Sequence, residues 1–119
     1  FDLSLVPYFS LAKGFLTGKY RTPDAAGQSS PRAGAASQYA TAQGLEIIDA
    51  LEGIGRAHGV SIAATALAWL RAQPTVAAPI ASASRVEQVS DLLDGARVEL
   101  TADEVATLSR VSEWTPAAV

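Results

Sequence analysis

Apolar positions recur at helical spacing over residues 39–58, where Leu45, Ile48 and Leu51, with the neighbours Ile47 and Ile54, predict a helix with one buried face. Gly59 follows where a left-handed C-terminal cap is wanted. Ser61 then reads as the N-cap of a second helix over residues 62–72, and Ala63, Ala66, Leu67, Trp69 and Leu70 leave it little polar surface before Pro74. Such a helix is expected to be packed on several sides. Ser84 and Glu87 form a capping-box pattern ahead of Val86, Val89, Leu92 and Leu93, which predicts a helix to about Gly95. Thr101 and Glu104 repeat the device before Val105, Leu108 and Val111.

Two short apolar runs break the helical pattern. Leu3-Ser4-Leu5-Val6-Pro7-Tyr8 is compatible with a strand that ends at Pro7, and Val76-Ala77-Ala78-Pro79-Ile80 is the second candidate strand. Between the first run and the first long helix, residues 9–38 carry Gly14, Gly18, Gly27, Gly34, Pro23 and Pro31 without sustained periodicity, as a functional or mobile loop would. The order strand, loop, helix, helix, strand, helix, helix implies an α/β layout with both strands parallel and joined by a helical crossover. A lone pair of strands leaves open hydrogen-bonding edges, so the missing strands are expected from upstream residues or from another chain. The opening at Phe1, without Met, agrees with an upstream segment.

A chain of 119 residues, 49% apolar, is enough for one domain or part of one. Its formal charge is −3 and its basic residues are dispersed, which sets aside a nucleic-acid surface, since phosphate neutralisation needs them gathered on one face. No Cys is present, so a catalytic thiol and a thiolate metal site are excluded. A single His cannot form a metal cluster, and His58, in the last turn of its helix, is expected to meet free carbonyl groups there. The longest apolar stretch, residues 62–70, is too short for a bilayer; a soluble, cytoplasmic protein is the expectation.

The candidate chemistry lies in two loops. Tyr8-Phe9-Ser10-Leu11-Ala12-Lys13-Gly14-Phe15-Leu16-Thr17-Gly18-Lys19 places glycines, hydroxyls and lysines directly after a strand end, where glycine lets backbone amides approach an anion; the same composition also suits a solvated turn. Ala81-Ser82-Ala83-Ser84-Arg85 opens a helix, so Ser82, Ser84 and first-turn amides would face an anion that Arg85 could clamp; equally, Ser84 could merely cap the helix while Arg85 points into solvent. In α/β barrels a phosphate site is frequently built from the loops after strands seven and eight together with a helix N-terminus. Glu46, Asp49 and Glu52 read as a solvated helix face, and Trp69 and Trp114 as packing residues.

The segment from Val6 through Arg21 resembles the one that follows the seventh barrel strand of bacterial aldo-keto reductases. Ala66-Leu67-Ala68-Trp69-Leu70 resembles the helix before that family's eighth strand, and the run from Pro79 to Val89 resembles the eighth strand with its adenosine-phosphate loop. The resemblance implies that residues 1–119 are the C-terminal segment of a single TIM (β/α)8 barrel domain, two parallel strands with flanking helices, whose N-terminal part is absent and is required for function. It implies NADP(H) as cofactor: Tyr8 on the nicotinamide, Ser10, Leu11, Gly14 and Leu16 along the pyrophosphate, Ser82, Ser84 and Arg85 around the 2'-phosphate, and Gln88 and Asp91 beside the adenine.

Phe9 and Leu92 depart from the residues that many relatives place at those positions. The family's catalytic Asp, Tyr, Lys and His lie on earlier strands, so no catalytic residue is expected in this chain. The complete protein would reduce aldehydes or ketones to alcohols, and the isolated chain would be inactive. Two other readings stand beside this one: a nucleotide-binding regulatory protein of the same fold without turnover, and a small helical interaction module.

Overall fold

The computed structural model describes residues 2–21 and 33–114; the expected loop's residues 22–32 lie outside them. After a short 3-10 segment, Ala12–Thr17, come helices α1 (Ala33–Ser37), α2 (Ala42–His58), α3 (Ile62–Arg71), α4 (Glu87–Arg97) and α5 (Ala102–Val111).

Most helix ends follow their local chemistry. The Thr41 hydroxyl accepts from the Gly44 amide to start α2, and α2 ends on Gly59 at φ 69°. Ser61 caps α3 by accepting from the Ala64 amide. Thr101 and Glu104 form the full reciprocal box at the start of α5, each side chain bonding the other's amide. The box expected from Ser84 and Glu87 does not form: α4 begins two residues later, and its N-cap Val86 makes no side-chain cap bond.

The expected pair of strands in a barrel portion is overturned. Among the described residues there is no sheet, only one isolated parallel bridge between Leu5 and Val76. The Leu5 amide donates to the Thr75 carbonyl at 2.7 Å and the Ala77 amide to the Leu5 carbonyl at 2.8 Å. In that register the next two rungs require amide donors from residues 7 and 79, and both are proline. The ladder therefore stops, and the Ile80 amide reaches the Pro7 carbonyl instead, at 3.1 Å. Leu3, Leu5, Val6 and Ile80 remain exposed.

The core lies between helices. Phe15, Ala36 and Ile48 form one buried cluster and Leu51, Ala66 and Leu108 another. As its composition predicts, α3 is the central element, buried continuously from Ala63 to Ala68. It crosses α4 closely at Gly95, where an added Cβ would stand 2.9 Å from the Leu67 Cβ. This contact fixes α4, and with it the loop that precedes α4, against the core.

Candidate functional site

The parallel bridge sets the geometry of the two candidate loops. Because the segments run in one direction and are joined again between Pro7 and Ile80, the chain leaves both at the same end, through Tyr8 on one side and Ala81 on the other. The structure thus gives the glycine-bearing loop and the serine-arginine loop a shared root.

In the first loop, Tyr8 is 73% exposed. Its ring meets Phe9 edge-on with centroids 4.8 Å apart, and the Lys13 ammonium stands 5.2 Å from the Phe9 ring centre. Ser10 is buried and donates its hydroxyl to the Pro7 carbonyl at 2.9 Å. The amides of Gly14 and Leu16 both donate to the Leu11 carbonyl, at 2.9 and 3.1 Å, so they are directed into the loop. The backbone is left-handed at Ala12 (φ 48°), Lys13 (φ 56°) and Gly14 (φ 98°). Only glycine adopts that conformation without steric cost.

In the second loop, Ser82, Ser84 and Arg85 are exposed, and Gln88 and Asp91 half-buried. Ser84 and Arg85 share one acceptor. The Gln88 side-chain oxygen receives the Ser84 amide at 2.8 Å, the Ser84 hydroxyl at 3.1 Å and the Arg85 amide at 3.3 Å. Three donors at the mouth of a helix thus converge on one oxygen, an arrangement that would also suit an oxygen of an anion. Gln88, expected beside adenine, is here the residue that closes this ring of donors.

Several contacts had no local signal. Arg21 spans from the end of the first loop to α2, with Nη1 2.9 Å from Asp49 Oδ1 and Nη2 2.6 Å from Glu52 Oε2. The other Glu52 oxygen takes Arg56 at 3.0 Å. The Arg21 guanidinium, first through its hydrogen bond and then through its charge, holds the Glu52 carboxyl below its ordinary range. Two of the three carboxylates read as a solvated face are therefore engaged.

His58 bonds the Glu104 carboxylate, at 2.8 Å to Oε2, rather than the carbonyl groups expected. Glu104 titrates below its ordinary range because the Thr101 amide, and after it His58, donate to its charged form. Trp69 packs as expected and donates to the Ser109 hydroxyl at 3.1 Å, whereas Trp114 is exposed.

Behind the first loop lies a cavity of about 310 Å³ bounded by Phe15, Leu16, Ile47, Leu51, Trp69 and Leu108, among others. Among the described residues no carboxylate, Lys, Arg or His lines it, and neither Ser84 nor Arg85 reaches it. Among the described residues no cluster of His, Asp or Glu could hold a metal, and no helix is long and apolar enough to cross a membrane.

Comparison with known proteins supplies what this geometry lacks. The model of the Aldo/keto reductase family matches residues 1–113. Protein tas of Escherichia coli (strain K12) is 30% identical over 112 residues, covering 93% of this chain and 32% of that protein. Aldo-keto reductase yakc [NADP(+)] of Schizosaccharomyces pombe is 30% identical over 105 residues, covering 84% of this chain and 30% of the relative. Aldo-keto reductase str7 of Strobilurus tenacellus is 26% identical over 113 residues, covering 93% and 34%. The chain thus spans about a third of the length of the curated relatives it matches.

Proposed function

Since the chain belongs to the aldo/keto reductase family, we propose that it forms the cofactor-binding part of an NADP(H)-dependent oxidoreductase that reduces aldehydes or ketones to alcohols. The observation that carries this reading is the convergence of the Ser84 amide, the Ser84 hydroxyl and the Arg85 amide on one acceptor position. A 2'-phosphate oxygen would replace Gln88 Oε1 there, with the Arg85 side chain free to approach from solvent. The printed name of the S. pombe relative carries NADP(+), which agrees.

When bound, the cofactor supplies the hydride that reduces the carbonyl carbon. This chain's residues bind and orient. Tyr8 offers an exposed ring for the nicotinamide face, and the shared root at Pro7 and Ile80 fixes the two loops together. With the Gly14 and Leu16 amides turned inward, the first loop would contribute shape and the Lys13 charge more than direct amide contacts. Proton transfer to the carbonyl oxygen would come from the remainder of the domain, as would the substrate pocket.

Titration of the purified protein with NADPH, followed by tryptophan fluorescence, tests the reading. We expect saturable quenching by NADPH, with NADH weaker by about tenfold or more, as the loss of one charge-assisted contact requires. Equal affinity for both would contradict a 2'-phosphate site. The exposed Val86, Val89 and Leu93 on and beside α4 favour the alternative of a helical interaction module; a folded protein with no response to either nucleotide would support that reading. The 119-residue chain alone is expected to leave NADPH unoxidised in the presence of a reactive aldehyde.

A further inference from the structure

The backbone of the first loop is strained at Ala12 and Lys13, both non-glycine residues at positive φ. Such conformations persist only where the surroundings over-determine them. One end of the loop is tied by the Ser10 hydroxyl on the Pro7 carbonyl, and its middle by Phe15, buried against Ala36 and Ile48. Farther along, the chain is pressed onto the start of α3, where a Cβ at Gly18 would stand 2.6 Å from Ile62 Cδ1. The far end is tied by Arg21.

We propose that Arg21 is a positioning residue for NADP(H): by gripping Asp49 and Glu52 on α2 it fastens the far end of the glycine-bearing loop and thereby sets cofactor affinity. The proposal rests on reading that loop as one wall of the dinucleotide site. Its geometry suits arginine in particular. Two guanidinium nitrogens reach two carboxylates three residues apart on one helix face, at 2.9 and 2.6 Å, whereas Arg56, 77% exposed, meets only the other Glu52 oxygen, at 3.0 Å. A lysine would offer one point charge where the site uses a planar fork. Arg21 and Glu52 are 37% and 35% exposed, so the pair adds little to global stability. Its effect therefore belongs in where the loop sits, not in whether the chain folds.

The experiment, made in the complete protein whose remaining domain supplies proton transfer, compares Arg21→Gln, Arg21→Lys, the double variant Asp49→Asn/Glu52→Gln and the control Arg56→Ala, measuring NADPH dissociation constant, KM for NADPH, kcat at saturating NADPH and melting temperature. Arg21→Gln and the double variant should each raise the NADPH dissociation constant and KM by roughly two- to fivefold, with kcat and melting temperature nearly unchanged. Arg21→Lys should fall between, and Arg56→Ala should match wild type. The reversed pair Arg21→Glu/Glu52→Arg should recover part of the affinity lost in Arg21→Glu. The double variant leaves the loop's own sequence intact, so it decides the matter even if loop substitutions unfold the protein. Wild-type affinity in both Arg21→Gln and the double variant would overturn the role of Arg21, as would a fall in kcat at constant KM. Absence of NADPH binding by the wild type would instead remove the cofactor reading itself.

Discussion

Gln88 holds its side-chain oxygen 2.8 Å from the amide nitrogen of Ser84 and 3.1 Å from its hydroxyl, so a residue in the first turn of α4 also closes the loop before it. The same donors are the ones assigned here to a phosphate, which makes Gln88 an internal competitor of the ligand.

Gln88→Glu should sharpen that competition. A carboxylate accepts these donors more strongly than a carboxamide and also suits the positive end of a helix. Thermal stability should hold or rise slightly, while NADPH affinity falls by about tenfold, or on the order of 1.4 kcal/mol, through repulsion and occupancy. Calorimetric titration of the two proteins checks this; equal affinities would mean that the ligand does not use these donors.

Gly95→Ala should destabilise the protein by about 1–3 kcal/mol, as overpacking does, because the new methyl would stand 2.9 Å from the Leu67 Cβ and 3.2 Å from the Ala64 carbonyl. The clash lies partly with main chain, so rotation of Leu67 alone does not relieve it. Urea unfolding with an unchanged midpoint would show that α3 and α4 separate more readily than their contact implies.

Acid should act through Glu104. Its folded pKa is depressed by the Thr101 amide and by His58, so its contribution to stability is complete above the unfolded glutamate value, about 4.3, and is lost as pH falls through the lower folded value. Unfolding midpoints measured from pH 7 down to pH 3 should fall more steeply for wild type than for Glu104→Gln in the acid part of the range. Parallel curves would mean that the Thr101 and His58 hydrogen bonds stabilise the charged carboxylate no better than water does in the unfolded chain.

Helices whose ends carry a local chemical signal are legible in the sequence alone. Ser61, Thr101 and Gly59 act within one turn of themselves, and each caps the helix it was expected to cap. The expected strands failed because a ladder is decided by its partner: Pro7 looks harmless as a strand end until Pro79 stands opposite, and the two together remove consecutive donors. Ser84 and Glu87 have the spacing of a box, but Gln88, one residue on, accepts the donors first. Arg21 with Asp49, and His58 with Glu104, join positions far apart in the chain, which no periodicity could have paired. The two loops themselves could be picked out from composition and resemblance; the inward turn of the Gly14 and Leu16 amides could not, because it depends on which carbonyl the folded loop offers them.

The left-handed backbone at Ala12 also shapes how this stretch can change. A left-handed L-residue costs about 1–2 kcal/mol, more than the roughly 0.5–1 kcal/mol that glycine forfeits in chain entropy, so Ala12→Gly should raise the melting temperature where such a change normally lowers it. A randomised library selected for heat resistance should therefore accumulate glycine or asparagine at residue 12 and shed valine and isoleucine, whose branched side chains fit that backbone least.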